Sequence, residues 1–448
     1  MTLRRLRSSL LPALAASLMT AFPALAQAPE GAPNPVAVAV SSLAAPDFFS
    51  AAGHDTGLGP DLWKTASPET LRVVLPLLAA KPLSPAAQAL ARRVLATGAS
   101  GPGNAGQDPT LAGVRISALI AQGGVKDADE ILSKTSGLDQ RPALAQAAAE
   151  AALLSNDPDR ACALGDALAV GRDDIYWVRL RAYCQLRKGD AGAAQLTFDL
   201  AQGLARDPVY GRLMGAKLAG GGDPGAAALR NGLDVALSRD LGLDLGGATP
   251  SPAVAAALNP PPDGAPRWPM ESGPGPVRSA MAVLAQGDLT AAQTLRASLT
   301  EADTIAAGAF DMALLDALIA AASGKGEGPA LDRLVERGLA DGGKLRARAQ
   351  AGAVILAGLG APLSDIALGQ LASFPAVEAK GPPARMFALD QAGARPGEVA
   401  LLALWTSADA GPGGPAPGDR ARIIRALKAA GLETDARAFA VEGLLGVR

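Results

Sequence analysis

Short breaks built from Gly, Asp or Thr, and Ala recur between amphipathic stretches of this 448-residue chain. A glycine at such a break can end one helix in the left-handed conformation. An Asp or Thr can then cap the next helix, and the alanines let it lie close to the first. The pattern predicts antiparallel helix pairs. The breaks are QGGVKDA at 122–128, KGDAGAA at 188–194, QGDLTAA at 286–292 and AGLETDA at 430–436.

From Leu71 onward, helical segments of roughly 10 to 16 residues alternate with these breaks, and the alternation typical of β-strands is absent. We therefore expect an all-α fold. The predicted pairs are 70–80 with 84–97, 110–121 with 125–135, 142–155 with 158–170, 174–187 with 190–204, 207–219 with 223–240, 276–286 with 289–299, 303–322 with 328–340, 344–358 with 362–373, 382–393 with 396–408, and 418–430 with 433–446.

A Gly-Asp break followed by a Leu- and Ala-rich second helix resembles the tetratricopeptide-like (TPR-like) family of α-solenoids. The Trp, Gly, Tyr and Pro positions of that family's consensus do not recur here, and the spacing is uneven. The resemblance therefore implies a degenerate TPR-like superhelix over 69–448. It also implies that a solenoid surface binds a partner.

Prolines divide the helical region. The stretch 241–275 holds Pro250, Pro252 and six further prolines, and Pro276 follows it, a density that cannot continue a helix. We predict an N-terminal array at 69–240, a linker or loop at 241–275 and a C-terminal array at 276–448. One continuous superhelix with a long surface loop remains the alternative.

The N-terminus has the features of a secretory signal peptide over 1–26. Three arginines precede an apolar run, and Ala24-Leu25-Ala26 predicts cleavage between Ala26 and Gln27. The run is too short for a membrane span of about 20 residues, although an uncleaved anchor stays open. We expect a periplasmic or secreted protein without a transmembrane segment in the mature chain.

Residues 27–68 are rich in Pro, Ala, Gly and Ser and predict a flexible leader. Asp47-Phe48-Phe49 and Leu62-Trp63 are candidate docking segments within it. The single histidine, His54, also falls there, where a lone histidine is more often inert.

The scarcity of His and Cys excludes most metal chemistry. One histidine and two distant cysteines cannot supply a usual zinc, haem or iron–sulfur site, so we predict no cofactor. The net charge of −2 lacks the basic excess that nucleic-acid binding needs.

The two cysteines lie at matched heights on two consecutive predicted helices, 158–170 and 174–187. Cys162 and Cys184 are each 11 residues from position 173, near the turn. At 1.5 Å per residue, both would lie about 16 Å along their helices. In a secreted chain this favours a structural disulfide. Two free buried thiols or redox exchange are the alternatives.

The region 172–210, which begins at this turn, concentrates aromatic and basic residues. Their spacing is that of a core stripe, but a concave binding groove is the second interpretation. The candidate partner-binding residues are Tyr176, Arg179, Tyr183, Arg187 and Tyr210.

The sequence thus predicts a non-enzymatic scaffold or adaptor that binds a protein or a cell-envelope component. Two alternatives remain open. One is an enzyme that acts on an envelope polymer with a pair of carboxylates about 5–10 Å apart in a deep pocket. The other is a chiefly structural envelope protein.

Overall fold

The computed structural model describes residues 47–261, 266–270 and 273–447. This part of the chain forms α-helices and three short 3-10 helices and contains no β-strand. The prediction of an all-α fold is therefore confirmed. The predicted signal peptide, its cleavage site and residues 27–46 of the predicted leader lie outside the described residues.

The helices are numbered in chain order. They are α1 Pro68–Ala80, α2 Pro85–Ala96, α3 Pro109–Ala121, α4 Val125–Ser133, α5 Pro142–Leu154, α6 Pro158–Ala167, α7 Ile175–Arg187, α8 Ala191–Leu204, α9 Pro208–Leu218, α10 Gly232–Asp240, α11 Pro252–Leu258, α12 Pro276–Ala285, α13 Leu289–Ala297, α14 Glu301–Ala307, α15 Ala309–Ser323, α16 Glu327–Ala340, α17 Gly343–Ala357, α18 Asp365–Ala372, α19 Pro383–Ala392, α20 Pro396–Ala410, α21 Pro417–Ala429 and α22 Glu433–Gly446.

The Gly-Asp breaks reverse the chain as their chemistry predicts. Gly189 has a φ of +85°, and the carboxylate of Asp190 accepts the N–H of Ala193 at 3.0 Å. Gly287 has a φ of +89°, and Asp288 caps α13 in the same way. A β-carbon is disfavoured at such a φ, so glycine is needed at both positions.

The predicted pairs from α3–α4 to α21–α22 contain packed neighbours, but the first predicted pair is wrong. Helix α1 packs mainly against α3 and α20, and α2 against α20, α22 and α3. The reason lies in the connection between them. Lys81 precedes Pro82 and is extended, with φ −111° and ψ 136°, as the residue before a proline prefers. Ser84 is extended as well, so no tight reversal forms.

The two ends of the described chain meet. At this closure interface, α1 and α2 pack against α20 and α22. The carboxylate of Glu398 accepts the backbone N–H of Ser67 at 2.6 Å and the hydroxyl of Thr70 at 2.8 Å. Lys81 pairs with Asp409 at 2.8 Å. The helical array therefore closes on itself.

One hydrophobic core draws on both predicted arrays and on the segment between them. It includes Leu90 of α2, Leu315 of α15 and Phe439 of α22. The proline-rich stretch 241–275 is not only a linker. Its residues Pro252–Leu258 form α11, which packs against α3 and buries Val254 in that core. Proline is compatible with this helix because Pro252 occupies its first turn.

Residues 47–67 of the predicted leader are packed as well. Phe49 and Trp63, from the two candidate docking segments, are fully buried and contact each other edge to face. They lie beside Arg115, a fully buried arginine in the middle of α3. Its guanidinium donates to five backbone carbonyls, including those of Thr97 at 2.8 Å and Leu95 at 2.9 Å. Residues 47–67 are thus anchored to the helices around this large core, which we call the main body.

A second, smaller hydrophobic core lies among helices α6 to α10, which we call the disulfide lobe. Helix α5 lies between the two cores. Leu144, Ala148 and Ala151 face the main body, whereas Ala145 and Ala149 face the lobe. The two sets follow helical spacing, so α5 presents a different apolar face to each side.

Among the described residues, no single helix is both long and apolar enough to cross a membrane. Helices α14 and α15 reach that length and apolar character only when taken together, and the chain bends by 103° between them.

Candidate functional sites

The closure cavity, a partly open space near α2, α4 and α22, is the first candidate ligand site. Its volume is about 830 Å³. Distant parts of the chain supply its walls: the segment 54–56, Pro266 and Trp268, and residues of α2, α4, α12, α13, α15 and α22. The site therefore exists only because the helical array closes.

The cavity walls combine apolar surface with cationic groups. Trp268, Leu284, Leu289 and Val441 form much of the apolar side. The charged lining contains four cations and three carboxylates. These are Arg92, Arg93, Lys126 and Arg437, and Asp55, Asp127 and Asp435.

An ion pair between a half-buried arginine and a buried aspartate fixes one wall. Arg93 contacts the Asp435 carboxylate at 2.5 Å and donates to the carbonyl of Thr56 at 2.9 Å. Burial raises the pKa of Asp435 to about 6, and the charge of Arg93 opposes that shift. The pair holds α2, α22 and the segment before α1 together. Burial, against the effect of the pair, makes this carboxyl easier to protonate than an ordinary aspartate.

The only histidine of the chain lies at the cavity wall. His54 Nδ1 is 2.7 Å from Asp127 Oδ1 in the first turn of α4. The neighbouring Thr56 hydroxyl contacts the Thr97 hydroxyl at 2.6 Å. The sequence pattern around His54 predicted a flexible leader. The structure instead places it in a hydrogen bond across 73 residues.

A second cavity, of about 450 Å³, has a strongly charged lining, and we call it the polar cavity. Lys380, Arg385 and Arg420 line it together with four carboxylates, those of Glu378, Asp409, Asp419 and Glu442. It is a pocket that holds several acidic groups, as the enzyme alternative requires. In the described part of the chain, no three His, Cys, Asp or Glu residues are grouped so that they could hold a metal ion.

Most of these carboxylates already have partners. Glu442 pairs with Arg420 at 2.6 Å and accepts the backbone N–H of Ala86 at 2.7 Å and the indole N–H of Trp268 at 3.1 Å. Glu442 thus connects the polar cavity with the wall of the closure cavity. Asp409 pairs with Lys81 and Arg385.

Asp419 differs from the other three. One of its oxygens accepts the backbone N–H groups of Lys380 at 2.6 Å and Gly381 at 2.7 Å. The other oxygen, Oδ1, is buried and has no hydrogen-bond partner within the described chain. A buried acceptor without a partner is costly, so Oδ1 is available to a donor in the cavity.

The predicted disulfide is present. Cys162 in α6 and Cys184 in α7 are bonded, with their α-carbons 5.6 Å apart. Both residues are buried beneath a small depression lined by Asp159, Asp166 and Lys188. The equal distance from the turn identified the pairing correctly.

Two of the five candidate partner-binding residues are buried. Tyr183 and Tyr210 are 0% and 1% exposed. Their hydroxyls donate to Asp240 at 3.1 Å and to the carbonyl of Arg179 at 3.1 Å. Burial raises the pKa of both tyrosines. The core-stripe interpretation therefore describes them: Tyr183 of α7 reaches the end of α10, and Tyr210 of α9 reaches α7.

The other three are partly exposed but also have structural roles. Arg179 lies 5.4 Å from the centre of the Tyr210 ring, and Arg187 lies 5.8 Å from that of Tyr183. Burial beside Glu150 raises the pKa of Tyr176 well above its usual value. These three residues therefore pack over the core of the lobe.

The exposed apolar surface of the lobe lies on the next helix. Leu196, Leu200 and Leu204 of α8 are 74%, 51% and 57% exposed. We call these three residues the α8 leucine row. Their spacing of four residues places them on one face, and Gly203 beside them offers open space. The row could not be recognised in the sequence because α8 is apolar on both faces, as its Ala194 and Ala201 are buried.

With the geometry established, comparison with known proteins adds no relative: no family model, curated protein or solved structure matches this chain.

Proposed function

We propose that the protein is a non-enzymatic, TPR-like scaffold that binds another protein through the α8 leucine row. The row carries this proposal. Three large apolar side chains in line on a helix are unusual on a surface in contact with water, and such surfaces commonly mark interaction sites. Single exposed apolar residues would not carry the same weight.

The support beneath the row favours binding. Helix α8 packs on α7, which is joined to α6 by the disulfide, and on α9. A rigid platform loses little conformational entropy when a partner binds.

The row fits an amphipathic helix of the partner. Apolar residues four positions apart can interdigitate with a matching stripe on a facing helix, as in helix recognition generally. Gly203 allows the partner backbone to approach closely. Asp199 and Arg206 are exposed beside the row and would set the orientation of the partner through charge.

The proposed location is outside the cytoplasm, as the N-terminal sequence predicts. The disulfide is compatible with an oxidising compartment. Under this proposal, the N-terminus of the mature protein is Gln27, which mass spectrometry of the purified protein measures directly.

The binding test uses a photoreactive amino acid in the producing cell, at position 200 in one strain and 366 in another. Ile366 is the matched control, because it is an apolar residue 75% exposed on α18. We expect one heteromeric adduct at position 200, lost when Leu196→Glu is added, and no such adduct at position 366. The same adducts from both positions, or an adduct of two copies of this chain, would contradict the proposal.

Catalysis by carboxylates in the polar cavity is a second candidate, favoured by the unpartnered Oδ1 of Asp419. Asp409 and Glu442 support a catalytic function less, because each carboxylate is already paired with an arginine. Release of reducing ends from purified envelope polysaccharide, abolished by Asp419→Asn, would favour this function over the scaffold.

A further inference from the structure

The closure cavity has the size of a small-molecule site. Its volume of about 830 Å³ lies within the roughly 300–1,000 Å³ typical of ligand pockets. It is distinct from the α8 leucine row, which belongs to the disulfide lobe. Ligand binding in this cavity is therefore independent of the proposed function.

One side of the cavity suits an apolar body. The Trp268 indole is held there by two contacts. Its ring N–H donates to Glu442 at 3.1 Å, and its backbone N–H donates to the carbonyl of Ala285 at 2.9 Å. Leu284 and Val441 continue the same wall. Because the indole is fixed by hydrogen bonds, it offers a flat surface to a ligand without first having to be ordered.

The other side suits an anion. Among the cations, Arg93 is neutralised by Asp435. Lys126 is exposed and has no ion-pair partner among the described residues. Arg437 has only an exposed pair with Glu433, at 3.3 Å, within its own helix. Exposed pairs of this kind hold a charge weakly, so both cations can turn to a ligand.

Of the three carboxylates in the lining, two have side-chain partners and the third is exposed. Asp127 is engaged by His54 at 2.7 Å, and Asp435 by Arg93. Asp55 accepts the N–H of Gly57 at 2.9 Å and is exposed. By formal charge, the lining carries four cations against three carboxylates, an excess of one positive charge.

From the apolar residues that line this cavity together with Lys126 and Arg437, we infer that the closure cavity binds an amphipathic anion, a compound with an apolar chain or ring and one acidic head. The head would lie between α4 and α22, and the body against Trp268. A ligand held in this way contacts both ends of the array.

The test compares two probes of equal chain length and opposite charge, dodecanoate and dodecyltrimethylammonium, each below its micelle concentration. Binding is followed by tryptophan emission, with Trp268→Phe to identify the responding residue, and by calorimetry. We expect saturable binding of one dodecanoate per chain and at least tenfold weaker binding of the cation. Equal affinity for both probes would overturn the inference.

Three variants locate the site. Lys126→Glu should weaken dodecanoate binding at least fivefold, whereas Lys344→Glu, an exposed lysine on α17, should leave it unchanged. Ala438→Phe fills the cavity and should abolish binding; circular dichroism checks its fold, and Lys126→Glu decides the matter if that variant does not fold. Unchanged affinity in Lys126→Glu, or loss of binding in Leu200→Glu, would contradict the assignment to this cavity.

Discussion

The main body and the disulfide lobe are stabilised in different ways. The body is joined by polar contacts between distant residues, such as the hydrogen bond from Ser67 to Glu398 across 331 positions. The lobe is local in sequence, and its disulfide spans only 22 positions. The body should therefore respond to the loss of buried polar groups, and the lobe to the loss of its covalent link.

The candidate sites follow the same division. The closure cavity depends on contacts between the chain ends, whereas the α8 leucine row needs only the lobe. A change that opens the closure interface should remove ligand binding and leave the row intact. Substitutions in each region should reveal this separation, and their expected effects differ in size.

The largest effect is expected from Arg115→Met. Five backbone carbonyls would lose a buried donor, and removing one partner from a buried charged network typically costs about 3–5 kcal/mol. Urea unfolding measures this loss. Arg348→Met, at an exposed arginine of α17, is the control. Equal stability of the two variants would show that Arg115 does not anchor residues 47–52.

Removal of the disulfide should rank second. The double change Cys162→Ala and Cys184→Ala should cost about 3 kcal/mol, because the unfolded lobe regains the freedom of a closed loop. Trp177 reports on the lobe and Trp63 on the body, so single-tryptophan variants can follow each region.

The transition reported by Trp177 should move to lower urea, while that of Trp63 stays in place. An equal shift of both would contradict the separation. Free thiols at both cysteines in the non-reduced protein would remove the basis of this prediction.

The smallest effect concerns pH and Asp435. Its folded pKa of about 6 exceeds its ordinary value of 3.8, so the folded state binds the proton more tightly than the unfolded chain. This contribution to stability is complete below pH 4 and lost as pH rises to 7. The wild type should therefore lose about 2 to 3 kcal/mol relative to Asp435→Asn between pH 4 and 7.

Comparing the free energies of unfolding of the two proteins at each pH isolates the effect of this carboxyl, because all other titratable groups are present in both. Asp61→Asn, at an exposed aspartate, is the control. A difference between Asp435→Asn and wild type that stays constant with pH would contradict the burial of Asp435.

Local features of the fold could be predicted from sequence. The Gly-Asp breaks located the hairpin turns because a left-handed glycine and a capping carboxylate act within a few residues. The Cys162–Cys184 bond followed from equal height on consecutive helices. Helix α11 was missed because proline density hid a short helix that begins with proline.

Features that depend on distant contacts could not be predicted. Nothing near Arg115 in the sequence signals that its guanidinium donates to the carbonyls of Phe48, Phe49 and Ala51. His54 and Asp127 are likewise brought together only by the fold. The closure interface, and with it the cavity, arises from packing between chain ends whose local patterns are ordinary amphipathic helices.

Closure of the array is the central claim, and zero-length carbodiimide cross-linking of the monomeric protein tests it most directly. Lys81 and Asp409 are 2.8 Å apart across the closure interface, and Lys188 and Asp166, 2.6 Å apart in the lobe, are the internal control. Closure predicts that peptides joined at both pairs are recovered. Recovery of the 188–166 link without the 81–409 link would contradict it.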